Sequence, residues 1–531
     1  MATAAVPAVE QQQVDARRWF ILIGLITAAI MEVLDTTIVN VALPQMAGNL
    51  SATTDEIGWV ATGYILSNVV VLPMTAFFTS LFGRRNYLVG SIVIFAIASF
   101  LCGTSHTLIE LVIWRVVQGA GGAALLSTAQ ATLRQVFPPK EQAMVQALFI
   151  VGLIVAPTLG PTLGGWITDN YNWNWIFFIN IPIAAVTVFL TMTFLQDPPG
   201  MRRKPDRIDF LGIGLLTVGL ASLQYVLEEG RRYDWFQDDT IKQLSVIAAV
   251  CLSTMIWWEL SSRNKHPIVD FRVLKNRQLA ASIFLFVALG FGLYGGVFIF
   301  PLFTQTILGF SPTATGLALL PGGIGTAITA IICGRLLSGN KVDGRILIAL
   351  GVVIFSIAMW RLGHLTTEAG EPQARAALFI RGLGLGLLFT PINNVAFGGI
   401  DPKDAQQSAG LINLARQLGG SFGIAILSTY VVDQTQYHRE NLVQYVTAYN
   451  PQVAARTAAI ASNFVAHGFS YDAARRAAVG ALDNIVTRQA AMMAYNDAWL
   501  LILLIFVIVS PAILLLKRPR GAAGAGAGAG H

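Results

Sequence analysis

Two acidic residues lie within one strongly apolar segment near the start of this 531-residue chain. Glu32 and Asp35 belong to the stretch 20–43, which is long enough to cross a hydrocarbon core of about 30 Å. A carboxylate at that depth costs on the order of 2.5–3.5 kcal/mol, so it usually faces a bundle interior, a partner charge or a water-filled cavity. The two acids share one helical face, and their proximity in a low dielectric favours proton binding near neutral pH. The pair predicts a proton carrier; the alternative is that Asp35 only pairs with an arginine or caps a kink.

A buried arginine is predicted in another apolar stretch, residues 109–131. Arg115 lies inside it and needs a negative partner, for which Asp35 and Glu32 are both candidates. Gln118 follows one turn later and is expected to line a polar cavity. Three glycines that let neighbouring helices approach closely come next: Gly119, Gly121 and Gly122.

The composition is that of a multi-pass membrane protein. Hydrophobic residues make up 54% of the chain and charged residues only 12%, which is more apolar than soluble domains usually are. The first apolar run is too long for a signal peptide and is expected to stay in the protein. Membrane-length runs predict an all-α fold with fourteen transmembrane helices: 20–42, 58–80, 87–105, 109–131, 143–167, 175–195, 209–228, 241–260, 279–303, 313–336, 345–363, 376–399, 409–432 and 497–516.

The positive charge is distributed as a topology signal. Lys and Arg concentrate in both tails and in alternate loops, which predicts cytoplasmic termini and an inner-membrane location rather than a nucleic-acid partner. Cys102, Cys251 and Cys333 each lie in an apolar run, so no disulfide framework or metal site is predicted. The chain has no G-x-x-x-x-G-K-[ST] loop, and we expect the proton as coupling ion and no cofactor.

The two halves of the chain repeat the same features. Trp114-Arg115 and the glycines after it are echoed by Ile380-Arg381 and three further glycines, Gly382, Gly384 and Gly386. Repeated halves with a site at their midplane interface are typical of secondary transporters. The repeat predicts a tail at 1–16, a six-helix half at 17–195, a linker at 196–208, two inserted helices at 209–260, a second linker at 261–278, a second six-helix half at 279–516 and a Gly/Ala-rich tail at 517–531.

A long extracytoplasmic segment, residues 433–495, is predicted within the second half. Helices are expected at 452–467 and 471–494. We interpret the segment as a solvated cap, with a docking surface as the alternative.

Polar residues inside the predicted spans of the second half are expected to line a substrate cavity: Arg381, Asn393, Asn394, Arg416 and Gln417. For the two arginines, structural pairing with backbone carbonyls or with an acid is the alternative interpretation.

Small residues and prolines interrupt the fifth run: Gly152, Pro157, Gly160, Pro161, Gly164 and Gly165. Such a run produces a kinked helix with a flat packing face, which serves either transport or a tight helix seam. A short basic turn after the second run is a candidate gate: Gly83, Arg84 and Arg85.

These motifs resemble the fourteen-span drug:proton antiporters of the major facilitator superfamily, and among them the EmrB/QacA subfamily. The resemblance rests on the stretch 34–44 (LDTTIVNVALP), on the Arg115 segment and on Gly160-Pro161 with Gly164-Gly165, and it covers essentially the whole chain. It implies that Asp35 is the first-helix acid of the family, that Arg115 takes part in proton coupling and that the fifth run is the antiporter motif. Glu32 lies outside the shared pattern, and Ser80 and Leu81 stand where the family turn usually has an acid.

The resemblance implies a proton-driven multidrug efflux antiporter that works by alternating access in the lipid bilayer. It would export hydrophobic small molecules together with a periplasmic adaptor and an outer-membrane channel. Alternatives are an exporter of a siderophore, lipid or metabolite on the same framework and, from another class, a non-transporting receptor or scaffold. No enzyme site is predicted, because the six His residues are scattered and no nucleophile–base spacing occurs.

Overall fold

The computed structural model describes most of the chain. The described backbone comprises residues 8–53, 56–197, 208–261, 263–264, 267–338, 342–398, 400–401, 404–447 and 449–516, and the side chains of 8–16, 139–140, 154–155, 158, 161 and 312–313 are not described. Most of the predicted linker at 196–208, all of the predicted tail at 517–531 and residues 1–7 of the predicted tail at 1–16 therefore lie outside the described residues. Helix α1 begins at Ala8, inside the stretch predicted as a tail.

The described chain folds into helices and contains no strand in these ranges. The helices are α1 (Ala8–Asn49), α2 (Trp59–Val71), α3 (Thr75–Phe82), α4 (Arg84–Thr104), α5 (Leu108–Val136), α6 (Pro139–Asn170), α7 (Trp175–Phe178), α8 (Asn180–Phe194), α9 (Phe210–Glu229), α10 (Asp239–Leu260), α11 (Arg277–Thr306), α12 (Pro312–Ser338), α13 (Gly344–Leu362), α14 (Glu371–Ala396), α15 (Ala405–Val443), α16 (Pro451–Ala466) and α17 (Tyr471–Val509).

Helices occupy all fourteen predicted spans, so the predicted all-α membrane fold is confirmed. Twelve helical stretches of the described residues are long and apolar enough to cross a membrane. The remaining two predicted spans lie in α6 and α15, which are long enough to cross but contain more glycine, proline or polar residues. The second predicted span is α2 and α3 joined by a 3-10 turn at Leu72–Met74, where Pro73 interrupts the α-helix.

The segment 433–495 is continuous with two of the spans. Helix α16 matches its prediction closely, but α17 does not end at 494 and continues without a break to Val509 as the last span. Helix α15 likewise continues past its span to Val443. The Ala-rich sequence around 489–498 contains no glycine or proline to end the helix, so the segment is built on extensions of two spans.

The two sets of six spans pack in the same pattern. In the first set α1 packs on α6 and α8, and α5 packs on α2 and α4; in the second set α11 packs on α15 and α17, and α14 on α12 and α13. The contacts between the sets also come in equivalent pairs. The contact of α6 with α12 corresponds to that of α15 with α3, and the contact of α5 with α15 corresponds to that of α14 with α6. Helices α9 and α10 pack on each other, and α9 contacts α2 and α15 beside the junction of the two sets.

Hydrogen bonds join the two sets at one end of the bundle, which carries the α3–α4 turn and is called the Arg84 end below. Arg134 Nη2 donates to the Phe397 carbonyl at 2.6 Å. Gln406 Nε2 donates to Thr128 Oγ1 at 3.2 Å, and Asn413 Nδ2 donates to Gln130 Oε1 at 2.8 Å. The α5 and α14 ends are thereby tied to the opposite set.

The repeated glycines sit where helices cross most closely. A Cβ added to Gly119 of α5 would lie 2.2 Å from the Tyr64 carbonyl oxygen of α2, and one added to Gly382 of α14 would lie 2.0 Å from the Gly322 carbonyl oxygen of α12. No other residue fits such a crossing, so the glycines fix the distance at which α5 and α14 pack on their partners.

We predict that Gly382→Ala destabilises the protein. The new methyl group would overlap the Gly322 backbone, and the helices would have to separate at a cost on the order of 1–3 kcal/mol. Thermal unfolding in nanodiscs should show a lower transition temperature. Gly90→Ala in α4 is the matched control, since no heavy atom lies within 4 Å of its added Cβ. An unchanged transition in Gly382→Ala would contradict the assigned crossing.

Candidate functional site

Asp35 is completely buried and is held by three side-chain donors. Its Oδ2 accepts from Arg115 Nη1 at 2.5 Å. Its Oδ1 accepts from Gln118 Nε2 and from Asn180 Nδ2, both at 2.9 Å. The carboxylate of α1 is thus satisfied from α5 and α8, as a buried charge requires.

Arg115 is also buried and has partners beyond the acid. Its Nη1 donates to Gln118 Oε1 at 2.9 Å, and its Nε donates to the Val60 carbonyl at 2.9 Å. The guanidinium lies 4.4 Å from the centre of the Tyr64 ring, a cation–π contact. Of the two acids named as candidate partners, Asp35 is therefore the one that Arg115 contacts, while α2 stabilises the cation from its other side.

Glu32 lies one turn away in a different environment. Its carboxylate accepts from Asn68 Nδ2 at 3.4 Å and from the Leu126 backbone N–H at 3.0 Å. The cation whose charge acts most strongly on it is Arg416, which belongs to α15 of the second set. Glu32 is thus hydrogen-bonded within the first set and lies close enough to Arg416 for the charge of the second set to act on it.

A narrow cavity of about 50 Å³ lies at this interface. Its polar lining includes Arg381, Arg416 and Tyr294, and the rest of the wall is mostly aliphatic. Both arginines are buried.

The predicted polar residues of the second half separate into two groups. Arg381 and Arg416 line the cavity, as expected. Asn393 is buried and donates to the Phe389 carbonyl of its own helix at 3.0 Å. Asn393, Asn394 and Gln417 are not among the residues that line this cavity. Gln118 is also absent from this lining, and its amide completes the Asp35–Arg115 network.

The small residues of the fifth run lie along the seam between α6 and α1. A Cβ added to Gly160 would lie 2.1 Å from Thr37 Oγ1, and one added to Gly164 would lie 2.9 Å from the Ile38 carbonyl oxygen. Gly152 is similarly close to Ile26, whereas an added Cβ at Gly165 would meet only Val41, at 3.9 Å. Pro157 lines the cavity. The side chain of Pro161 lies outside the described residues.

The basic turn fastens helices of the first set to one another. Gly83 has φ +83°, which glycine adopts without strain and which separates α3 from α4. Arg84 donates to Gln135 Oε1 at 2.5 Å and to the Gln196 carbonyl at 2.7 Å. The Arg85 N–H donates to Asp197 Oδ1 at 2.8 Å, so an acid beyond α8 lies at the turn although Ser80 and Leu81 are not acidic.

Asn180 is the site residue that sequence reasoning missed. Its Nδ2 donates to Asp35 and also to Ser99 Oγ at 3.1 Å, and it is completely buried at the start of α8. An asparagine next to the apolar residues 175–179 was the available signal, since a buried amide needs a partner. In the described residues no group of three or more His, Cys, Asp or Glu residues is placed to hold a metal ion.

The fold and the site together define a polytopic membrane transporter. Two similarly packed sets of six spans enclose an interfacial cavity, and α1, which carries the buried acid Asp35, lines it through Val33. This is the arrangement expected for alternating access around a midplane site.

The chain belongs to the Major Facilitator Superfamily, whose family model matches residues 17–424. It is 33% identical over 503 residues to the multidrug export protein EmrB of Escherichia coli K12, covering 94% of this chain and 95% of that protein. It is 32% identical over 507 residues to the fatty acid resistance protein FarB of Neisseria gonorrhoeae, covering 94% and 96%. The human organic anion transporter MFSD10 has the same fold, with a TM-score of 0.59 at 14% identity over 92% of this chain and 99% of that one.

We predict that the Asp35–Arg115 pair behaves as one energetic unit. Arg115→Gln leaves a buried carboxylate without its cation and should cost about 3–5 kcal/mol. Asp35→Asn should cost less, because Arg115 keeps the Val60 carbonyl, Gln118 Oε1 and the Tyr64 ring as partners. The double variant removes both charges and should recover part of the transition temperature in a thermal unfolding series.

Arg375→Gln is the matched control, because Arg375 pairs with Glu371 at a half-exposed position of α14. It should unfold like the wild type. Strictly additive effects in the double variant would contradict the pairing of Asp35 with Arg115.

Proposed function

We propose that the protein is a proton-driven multidrug efflux antiporter. The observation that carries the proposal is Asp35, a completely buried carboxylate held by Arg115, Gln118 and Asn180 on a helix that lines the interfacial cavity through Val33. Relatives at 32% and 33% identity are named for fatty acid resistance and multidrug export, which supports apolar compounds as substrates.

Asp35 is the proposed proton site because its environment can accommodate both of its charge states. Ionised, it accepts three donors; protonated, it leaves Arg115 with the Val60 carbonyl, Gln118 Oε1 and the Tyr64 ring. Arg115 therefore retains partners when the proton binds, and its charge favours release of the proton again. Glu32, facing Arg416, is proposed as a second acid on the substrate side.

The proposed cycle is alternating access driven by protons that move inward. When both termini lie on the cytoplasmic side of the inner membrane, the Arg84 end also faces the cytoplasm. The hydrogen bonds at that end would then hold the protein closed on the cytoplasmic side. A proton-motive force of about 200 mV supplies about 4.6 kcal/mol per proton, with no nucleotide required.

We predict that Asp35→Asn abolishes coupling in reconstituted vesicles. Addition of a hydrophobic drug should collapse an imposed pH gradient with the wild type and with Glu32→Gln, but not with Asp35→Asn, because the amide cannot take up the proton. The readout is a pH-sensitive dye enclosed in the vesicles. Asp239→Asn is the control, an 86% exposed acid paired with Lys242 at the start of α10.

Coupling in Asp35→Asn equal to that of the wild type would contradict the proposal. It is the behaviour expected of a receptor or scaffold, for which Asp35 has no transport role. A wild type that leaves the gradient intact across drugs, siderophores and lipids would contradict proton-driven export as such.

We further propose that the protein works with a periplasmic adaptor and an outer-membrane channel. The helical extensions beyond the membrane end in aromatic side chains, among them Tyr449, which is 96% exposed. A photocrosslinking amino acid at position 449 should give an adduct with the co-expressed adaptor. The same label at Trp257, 64% exposed on α10, should not. An adduct at Trp166, 57% exposed at the outer end of α6, but not at 449 would move the contact to the ends of the spans.

A further inference from the structure

The interfacial cavity contains two buried cations. Arg381 of α14 and Arg416 of α15 both belong to its lining, and their side chains are only 4% and 3% exposed. An intramembrane arginine is costly to bury, so each must be stabilised by the protein or serve a ligand. The partners of each arginine decide between these two roles.

Every recorded hydrogen-bond partner of the two arginines is uncharged. Arg381 Nη2 donates to the Gly292 and Leu293 carbonyls of α11 at 3.2 and 3.1 Å. Arg416 donates to Tyr294 Oη at 2.9 Å and to Asn413 Oδ1 at 3.1 Å. In the part of the chain that the structure describes, neither guanidinium contacts a carboxylate.

Arg381 also has one N–H donor that makes no hydrogen bond to the described residues. Its Nε is buried and has no hydrogen-bond partner among the described residues. A buried guanidinium N–H without an acceptor is rare and calls for an explanation such as a ligand. The absence of a side chain at Gly296 of α11 provides the space that this guanidinium occupies, because a Cβ there would lie 2.8 Å from Arg381 Nη2.

The charge balance around the cavity favours an anion. Glu32 is the acid whose charge acts on Arg416, and its own hydrogen bonds go to Asn68 and Leu126. Asp35, the other acid of α1, is already paired with Arg115. Two guanidinium groups therefore face at most one carboxylate, and at least one positive charge is left for a ligand to neutralise.

The remaining walls suit an apolar body. Aliphatic side chains from both sets line the cavity: Val33, Leu153, Leu293, Val297, Leu319 and Leu378. Sites of this kind bind the hydrophobic part of a ligand by its surface and orient it through a few polar groups.

We propose that this cavity binds amphipathic monoanions, with the acidic head group at Arg381 and Arg416 and the apolar body against the aliphatic wall. The inference rests on the proposed function, because it names the substrate class of that transporter. Guanidinium groups suit a planar carboxylate, which they bind with two parallel N–H donors. A neutral amide of the same shape offers no charge, and an ammonium group of the same shape would be repelled.

The test is equilibrium binding to the full-length protein in nanodiscs with three radiolabelled probes that share one apolar body: 4-hexylbenzoate, 4-hexylbenzamide and 4-hexylbenzylammonium. At neutral pH the wild type should bind the benzoate roughly tenfold or more tightly than either other probe. In Arg381→Gln and Arg416→Gln this preference should fall to a few-fold at most, while binding of the benzamide is unchanged. Arg416→Lys should keep most of the preference for the benzoate. Arg375→Gln, a control on the same helix as Arg381, should keep all of it.

Equal or tighter binding of the benzamide or the ammonium probe by the wild type would overturn the proposal. So would an equal loss of all three probes in the glutamine variants, which would indicate a purely structural role, or the absence of binding by any probe. The proposed function is tested separately by the vesicle assay. If the protein prefers the benzoate but shows no proton coupling, only the proposed antiporter function is overturned. If it couples protons to transport of a cation in preference to an anion, only the proposed substrate class is overturned.

Discussion

Burial of one ion pair in an apolar bundle constrains the whole first set of helices. A charge removed from water is tolerated only when its partners are close and well oriented, so Asp35 and Arg115 dictate what surrounds them. Gly119 lets α2 approach α5, and this approach brings the Val60 carbonyl and the Tyr64 ring against Arg115. The glycine pattern is therefore part of the charge site, although none of the glycines contacts a charge.

The second set repeats the packing but not the charges. Its arginine, Arg381, stands in the same sequence context as Arg115, yet its partners are backbone carbonyls of α11, and among the described residues no acid takes the place of Asp35. The repeat thus supplies one arginine that is neutralised inside the first set and one that remains available at the cavity. This asymmetry agrees with the two proposals, in which the first half exchanges a proton and the second binds substrate.

The sequence predicted what depends on length and local pattern. Fourteen apolar runs, the repeat and the depth of Asp35 and Arg115 follow from composition and spacing, and all reappear in the structure. Which acid meets Arg115 was not predictable, because Glu32 and Asp35 are three residues apart on adjacent parts of one face, and the choice depends on how α1 rotates against α5. Asn180 was missed for a related reason: its partner is 145 residues away, on a helix whose position only the assembled bundle defines.

The same limit applies to Gln118, Asn393 and the segment 433–495. A polar residue within a span signals a polar partner but does not say whether that partner is a cavity, a neighbouring side chain or the residue's own helix. Gln118 joined the ion pair, and Asn393 bonds to its own backbone. Helix α17 passes through a boundary that hydropathy suggested, because alanine supports a helix equally well inside and outside the membrane.

The contacts between the two sets have a strength suited to the proposed cycle. The α6–α12 seam places Gly334 against Ala147 near the Arg84 end and Gly316 near Thr162 at the other, so it can act as an axis along the full length of the bundle. Opening the Arg84 end then requires breaking the bonds of Arg134, Gln406 and Asn413 to the opposite set. With one charged and two neutral donors these are worth roughly 2.5–6 kcal/mol together. One proton at about 200 mV supplies about 4.6 kcal/mol, which is comparable, so a single proton per cycle can drive the opening without a stronger energy source.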